Sequence, residues 1–132
     1  MGGRVEPLPT GVGEISQAIV ESAFKVHKTL GPGLLESVYE ACLCHELRRR
    51  DVPFQSQVVL PVIYDGVRID AGLRLDMIVA ERVVVELKAT ERIHPIFVAQ
   101  ALTCLKLTGL RAGLIINFNV PLIRDGIRRV VL

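Results

Sequence analysis

The chain has 132 residues, which suits one domain built around one hydrophobic core. Half of its residues are hydrophobic, yet no run reaches the roughly 18 apolar residues of a membrane-spanning helix, so no membrane partner is expected. The net charge of +2 permits nucleic-acid binding without requiring it, while the lack of Trp and an aromatic content of 5% argue against a base-stacking platform.

Two helices are predicted first. Residues 12–30 carry apolar side chains at helical spacing, and the Gly31-Pro32-Gly33 turn ends this helix. The second helix is predicted from Leu34 to Arg50, where Asp51-Val52-Pro53 stops it. Five residues of the second helix are expected to face inward: Leu34, Leu35, Val38, Ala41 and Cys42.

Three strands are predicted next, over residues 54–64, 67–79 and 83–89. Asp65-Gly66 is a two-residue hairpin signal between the first two strands. In the second strand the odd-numbered residues form an apolar face, whereas Arg68, Asp70, Arg74 and Asp76 lie on the other: the apolar set is Val67, Ile69, Ala71, Leu73, Leu75, Met77 and Val79.

The remaining chain predicts a helix, a buried strand and a short last strand. Pro95 opens the helix, which runs to about Thr108, and Gly109 caps it. Residues 112–118 form the buried strand, and residues 126–132 add an edge strand. The predicted order is therefore ααβββαβ(β), an α/β (α+β) protein.

The turns also predict the strand register. A two-residue turn at Asp65-Gly66 sets three pairs: Leu73 with Val58, Arg74 with Gln57, and Asp76 with Gln55. A two-residue turn at Glu81-Arg82 would mix polar and apolar faces, so a three-residue loop over residues 80–82 is preferred. That loop sets Asp76 opposite Glu86 and Arg74 opposite Lys88.

Two carboxylates on opposite residues would repel each other at a β-carbon separation of about 5 Å. A cation between them, or protonation of one, would relieve the repulsion. Mg²⁺ suits the first solution, because it binds one or two carboxylates together with water and substrate phosphate. The alternative is a salt-bridged polar face, in which Asp76 pairs with Arg74 and Glu86 pairs with Lys88.

These residues resemble a known signature. Asp76 followed by Glu86-Leu87-Lys88 is similar to the motif of PD-(D/E)XK nucleases, with Leu75 in the place of the usual Pro. Residues 33–39 match GxxExxY, the motif that names a bacterial protein family. Four further segments are similar to that family: "PVIYDG", "VVVELKA", "AQALTCLKLTG" and "GLIINF". The resemblance covers roughly residues 14–132.

The resemblance implies a restriction-endonuclease-like αβββαβ core, a mixed sheet of four to five strands flanked by helices. It implies metal ligation by Asp76, Glu86, the Leu87 carbonyl and Glu36, with Mg²⁺ or Mn²⁺ as the ion. Lys88 would be the catalytic lysine, and Glu40 is the reserve for Glu36. Residues expected to contact the substrate are Gln100, Arg74, Gln57 and Gln55.

The helix after Lys88 departs from the pattern of the resemblance. A Tyr commonly follows the Gln by four residues, and this chain has Cys104 there. Relatives are expected to carry His-Glu just before Ala-Gln, where this chain has Phe97-Val98. The departures leave Asp76, Glu86 and Lys88 intact, and they weaken any helper role assigned to this helix.

The expected function is hydrolysis of nucleic-acid phosphodiester bonds, with DNA as the expected partner. The alternative is an inactive nucleic-acid-binding or regulatory protein on the same fold. Residues 1–132 are expected to form one domain whose first ten residues are flexible. Three cysteines without a CxxC pair, and no signal segment over residues 1–9, favour a cytoplasmic protein. The apolar surplus favours a homodimer.

Overall fold

The computed structural model describes residues 11–132, so the predicted flexibility of the first ten residues lies outside the described part. Three α-helices are present: α1 (Val12–Leu30), α2 (Glu36–Arg49) and α3 (Pro95–Thr108). Seven strands accompany them, together with a 3₁₀ helix at Ile123–Gly126: β1 (Phe54–Val59), β2 (Val62–Tyr64), β3 (Val67–Ile69), β4 (Arg74–Val79), β5 (Val83–Lys88), β6 (Ala112–Asn117) and β7 (Ile127–Val131).

Five of the strands form one mixed sheet in the order β1-β4-β5-β6-β7. Only β5 and β6 are parallel, and α3 makes the crossover between them. The strands β2 and β3 form a separate hairpin. The predicted mixed sheet flanked by helices is therefore confirmed. No helix within residues 11–132 has the length and apolarity needed to cross a membrane.

The hydrophobic core lies in two layers, one on each face of the sheet. On one face α1 and α2 bury Ile19, Leu43 and Leu47 against Met77 and Val85. The α3 side of the sheet is covered by a smaller cluster: Leu60, Leu75, Val84, Ala101, Cys104, Leu105, Ile115 and Val130. Central strand β5 is covered on both faces, which places any polar side chain on it in a partly dry environment.

The bounds of α1 and α3 are as predicted, and Gly109 caps α3 in a left-handed conformation with φ of 75°. The inward face predicted for α2 is wrong. Leu34 and Leu35 precede the helix, and Leu35 is 73% exposed. Val38 is also exposed, while Cys42 is only half-buried. The sheet is met instead by an i, i+4, i+8 stripe: Tyr39, Leu43 and Leu47.

The two long strands predicted over residues 54–64 and 67–79 are each broken in two. The Asp65-Gly66 turn pairs Tyr64 with Val67 as predicted. Beyond the hairpin, however, Leu60 N–H donates to Leu73 O at 2.8 Å, so residues 70–72 lie opposite residue 61 alone. The segment 70–72 is thus two residues longer than the segment it faces, and the register between β1 and β4 is shifted by two residues.

The predicted partners of Leu73, Arg74 and Asp76 are therefore wrong. Val58 pairs with Leu75, Val59 with Arg74 and Gln55 with Ile78. The single apolar face is wrong as well. Leu73 and Leu75 pack on the α3 side, Met77 and Val79 on the other side, and Val67 and Ile69 are exposed. The change of face coincides with Gln57 in β1. Its φ of 52° interrupts the regular alternation of side chains along that strand.

Candidate active site

Charged side chains converge in a cavity of about 470 Å³ at one end of the sheet. The cavity lies between the ends of β4 and β5, the first turn of α2 and one face of α3. Its charged lining consists of Glu36, Arg74, Asp76, Glu86 and Lys88. The α3 helix contributes Ile96, Ala99, Gln100, Thr103 and Cys104.

The register of β4 and β5 brings the two carboxylates together. Val79 pairs with Val83 and Ile78 with Val84, so the predicted three-residue loop is confirmed. The regular ladder ends at the pair formed by Met77 and Val85. One residue beyond it, Asp76 Oδ2 accepts a hydrogen bond from Leu87 N–H at 2.8 Å. Asp76 therefore lies beside Glu86. The contact that holds it there is made by its side chain, because the two residues do not form a backbone-paired position of the ladder.

Glu86 is the most strongly perturbed carboxyl of the cavity. Burial raises its pKa to about 8, and the negative charge of Asp76 adds to the shift, while Lys88 opposes it. A hydrogen bond between the two carboxyl groups also favours the protonated form of Glu86. The second oxygen, Glu86 Oε1, is buried and has no hydrogen-bond partner. A carboxyl held this way is poised to exchange a proton for a cation.

Glu36 approaches the carboxylate pair from the first turn of α2. Burial raises the pKa of Glu36, the charge of Asp76 raises it further, and Lys88 lowers it. Glu40 lies one turn later on α2, where its Oε1 accepts a hydrogen bond from Gln57 Nε2 at 2.7 Å. Burial also raises the pKa of Glu40, with a smaller contribution from Asp76. Carboxyl groups from α2, β4 and β5 therefore lie close together at this end of the sheet.

The Lys88 ammonium lies over the ring of Phe97, 4.3 Å from its centroid. No ion pair joins Asp76 to Arg74 or Glu86 to Lys88 in the part of the chain that the structure describes. The salt-bridged alternative is therefore wrong for this geometry. Asp76 and Glu86 are therefore adjacent carboxyl groups that share no salt bridge with Arg74 or Lys88.

Tyr39 joins the helix that carries Glu36 to the strands that carry the site. Tyr39 is fully buried, and its ring stacks on Phe118 with 4.5 Å between centroids and 6° between planes. Phe118 N–H in turn donates to Lys88 O at 3.0 Å. The Tyr39 hydroxyl donates to Gly31 O at 2.6 Å and accepts from Leu34 N–H at 3.1 Å. These bonds hold the turn from which Glu36 emerges.

A comparison with known protein families shows which family this chain belongs to. Residues 13–130 match a family model described as the PD-(D/E)XK nuclease superfamily. The chain belongs to the PD-(D/E)XK nuclease superfamily. Searches of the curated proteins and of the solved structures gave no match. The mixed five-stranded sheet flanked by helices agrees with the restriction-endonuclease-like fold that the resemblance implied.

Enzymes of the PD-(D/E)XK superfamily generally depend on a divalent metal. The residues of this chain fit such an ion, because Glu86 Oε1 is buried without a partner beside the Asp76 carboxylate. Within residues 11–132 no group of three or more His, Cys, Asp or Glu side chains is arranged to hold a metal. A two-carboxylate site suits Mg²⁺, which leaves several positions to water and substrate phosphate.

The four predicted substrate contacts divide into two pairs. Gln100 and Arg74 line the cavity of this superfamily member. Gln57 is outside the lining and bonds Glu40, while Gln55 lines a different cavity beside Ile78. The two-residue shift in register moves Gln55 away from Asp76. Gln55 and Gln57 therefore do not meet the other two at the cavity.

Two supporting residues escape prediction from the superfamily signature. Asn117 is fully buried, and its side chain accepts from Thr90 N–H at 3.0 Å and donates to Thr90 O at 2.8 Å. These bonds fasten the chain that leaves β5 just after Lys88. A polar residue that ends the apolar run "GLIIN" was the available signal. Phe97 had no comparable signal, because its contact with Lys88 depends on how α3 packs.

Proposed function

We propose that this protein is a divalent-metal-dependent nuclease that hydrolyses phosphodiester bonds of nucleic acid, with DNA as the substrate. The observation that carries the proposal is the partnerless, buried Glu86 oxygen beside Asp76, in a cavity that also contains Lys88. Membership of a nuclease superfamily supports the same activity. A salt-bridged structural site would instead have paired these charges.

The proposed direct ligands of the ion, Mg²⁺ or Mn²⁺, are the carboxylates of Asp76 and Glu86 and the Leu87 carbonyl. Glu36 is proposed to reach the ion through a bound water, since no three carboxyl groups within residues 11–132 are arranged to hold a metal directly. Leu87 N–H points to Asp76, and the N–H and C=O of one strand residue point to the same neighbour, which supports the carbonyl as a ligand. When bound, the metal supplies Lewis-acid stabilisation of the negative charge that develops on the phosphate.

The chain's own groups position the reactants. Lys88 orients the attacking water and presents its ammonium to a phosphate oxygen as the bond to the leaving oxygen breaks. Phe97 holds that ammonium over its ring. Arg74 and Gln100 line the opening of the cavity, where they bind the substrate backbone. Burial of β5 on both faces limits bulk water around Glu86, which strengthens these electrostatic effects.

A cleavage assay tests the proposal. Single-stranded, duplex and branched DNA and RNA are incubated with the protein in Mg²⁺, Mn²⁺ or EDTA. We expect cleavage in Mg²⁺ or Mn²⁺ that EDTA stops and that Lys88→Ala lowers by at least about a hundredfold. Lys106→Ala is the matched control, because Lys106 is an exposed lysine on α3 outside the cavity. Absence of metal-dependent cleavage on every substrate would refute the proposal.

A second candidate is a nucleic-acid-binding protein on this fold with little turnover. It is favoured by the contact between Lys88 and Phe97, which engages the lysine ammonium with an aromatic ring. Cys104, where a Tyr is common, also lines the cavity, and its pKa is raised to about 11, first by burial and then by the charges of Glu86 and Asp76. Binding without metal-dependent cleavage in the assay above would favour this candidate.

The proposed setting is the cytoplasm, and the proposed assembly is a homodimer. The hairpin formed by β2 and β3 supports pairing, because Ile63, Tyr64 and Val67 are large apolar residues that lie exposed on it. An isolated two-stranded hairpin is also only marginally stable in water. Light scattering at micromolar concentration tests this proposal, and a monomer would refute it.

A further inference from the structure

A second cavity, of about 670 Å³, lies between the C-terminal half of α1 and the loop after β6. We call it the α1 cleft, and define it by five of its lining residues: Phe24, Lys25, Lys28, Leu122 and Arg124. None of them belongs to the cavity that contains Asp76, Glu86 and Lys88.

The α1 cleft opens at the same end of the sheet as the candidate active site. β6 runs parallel to β5, and Asn117 is the register partner of Lys88. Phe118, the next residue, donates its N–H to Lys88 O at 3.0 Å. The loop that walls the cleft therefore leaves the sheet beside Lys88. Because α1 and α3 pack on opposite faces of the sheet, the α1 cleft lies across this sheet end from the α3-lined cavity that contains Lys88.

The wall of the α1 cleft is fixed by specific contacts. Buried His27 bonds Val120 O through Nε2 at 2.7 Å, and since a carbonyl only accepts, Nε2 carries the proton. The far end of the loop closes at Gly126, where a β-carbon would lie 2.1 Å from Asn117 O. Only glycine permits this approach. The cleft is thus largely formed before any ligand binds.

The chemistry of the α1 cleft is cationic with an exposed aromatic ring. Lys28 and Arg124 are exposed, and neither forms an ion pair with another residue of the described chain. Lys25 is partly neutralised by Glu46 at 3.3 Å. Among residues 11–132, no carboxylate lines the cleft. Phe24 is 43% exposed, whereas Ala23 and Val26 of the same helix are buried.

We propose that the α1 cleft binds a single-stranded segment of nucleic acid, with phosphates on Lys28 and Arg124 and one base stacked on Phe24. Cations that follow the backbone and an aromatic ring that takes a base are the combination that holds single strands. A duplex keeps its bases stacked inside and offers none to Phe24. The low aromatic content argues against a platform of several stacked bases, and the cleft supplies one ring.

The link to cleavage rests on the proposed function, but the binding itself does not. The cleft therefore indicates the substrate class of the candidate active site. This class is nucleic acid in which the segment next to the cleaved bond is single-stranded. Binding can be measured in EDTA, where no metal-dependent turnover occurs, so the two proposals can fail separately.

The test uses the full chain, a fluorescent single-stranded oligonucleotide of about 16 nucleotides and its duplex form, with EDTA present. Phe24→Leu keeps an apolar side chain and removes the ring. We expect it to weaken single-strand binding about tenfold and to leave duplex binding unchanged. Lys28→Gln with Arg124→Gln should reduce the slope of log affinity against log salt by about 1.4, or about 0.7 for each lost phosphate contact.

Lys106→Gln is the control, because it removes an exposed lysine from α3 and should change neither quantity. The proposal is overturned if wild type does not bind single strands, if both cleft variants bind like wild type, or if duplex and single-strand binding fall equally. Cleft-dependent binding without cleavage in Mg²⁺ or Mn²⁺ would reject the nuclease proposal and support this one. Cleavage with no effect of the cleft variants would do the reverse.

Discussion

The rings of Tyr39 and Phe118 stack in nearly parallel planes, with 4.5 Å between their centroids. Tyr39 belongs to the helix that presents Glu36, and Phe118 is bonded through its N–H to Lys88 O. One aromatic contact therefore joins the two halves of the candidate site. This gives Tyr39 a structural role, since the contact fixes the distance between the α2 carboxyl and the β5 lysine.

Tyr39→Phe should destabilise the protein by about 1–3 kcal/mol, because two partly buried hydrogen bonds of the hydroxyl are lost, one from Leu34 N–H and one to Gly31 O. The stack on Phe118 remains, but the turn before Glu36 loosens, so metal-dependent cleavage should fall as well. Urea unfolding and cleavage kinetics measure the two effects. Thr29→Val is the control, because it removes an exposed hydroxyl on α1 together with its hydrogen bond to Lys25 O, and it should change neither. Equal behaviour of the two variants would contradict this role.

Asp76→Asn tests the repulsion between the paired carboxyls. The variant keeps an acceptor for Leu87 N–H and removes the charge beside Glu86. Without metal we expect its free energy of unfolding to be unchanged or higher than that of wild type. Metal should stabilise wild type alone, by about 2.7 kcal/mol when it is present at 100 times its dissociation constant. Thermal melts in EDTA and in Mg²⁺ measure both, and a clearly weaker variant with no metal response in wild type would contradict the carboxylate-pair account.

The raised pKa of Glu86 makes stability depend on pH in the metal-free protein. Glu86 titrates at about 8 when folded, against an ordinary value of 4.5. Between these values the folded protein holds a proton that the unfolded chain has released. This contribution to the free energy of unfolding is therefore complete below pH 4.5 and is lost as pH rises through about 8.

Unfolding of wild type and Glu86→Gln at about pH 5 and about pH 8.5 measures this contribution. We expect wild type to lose stability relative to the variant by several kcal/mol on going to the higher pH. Metal affinity should rise over the same range, since the ion must displace the proton. A difference between the two proteins that does not change with pH would reject the shifted pKa.

The contact between Lys88 and Phe97 predicts different effects for two substitutions. Phe97→Leu removes the ring that orients the ammonium and should slow cleavage up to about thirtyfold, as expected for a contact of 0.5–2 kcal/mol. Phe97→Tyr keeps the ring face and should cleave like wild type. Single-turnover kinetics compare the two. A Leu variant as fast as the Tyr variant, or faster, would mean that the ring does not position Lys88.

Local signals predicted the helices and the meeting of the carboxyls. Glycine and proline mark the ends of α1 and α3, and the apolar alternation around residues 80–82 selected the loop that places Asp76 beside Glu86. The register of β1 was not predictable in the same way. It depends on how many residues between β3 and β4 are left unpaired opposite Pro61. The prediction placed one residue there, and the structure has three, residues 70–72.

Tertiary packing decided the features that the sequence did not predict. The buried stripe of α2 runs through Tyr39 and Leu47 because the hydroxyl of Tyr39 ties this face to the turn before Glu36. Apolar spacing alone had favoured Leu35, which lies outside the helix. The contact of Phe97 with Lys88 likewise requires α3 and β5 to be docked before it can be seen.

The central claim is that Asp76 and Glu86 together hold a divalent cation. The most direct measurement is anomalous diffraction at the manganese edge, from crystals soaked in Mn²⁺ with a non-cleavable oligonucleotide that completes the coordination shell. We predict one peak about 2.1 Å from carboxylate oxygens of both residues, and no peak at this position in Asp76→Asn crystals. The soak uses an Mn²⁺ concentration at which the protein cleaves nucleic acid in solution. The account would be contradicted if wild-type crystals then showed no peak between Asp76 and Glu86.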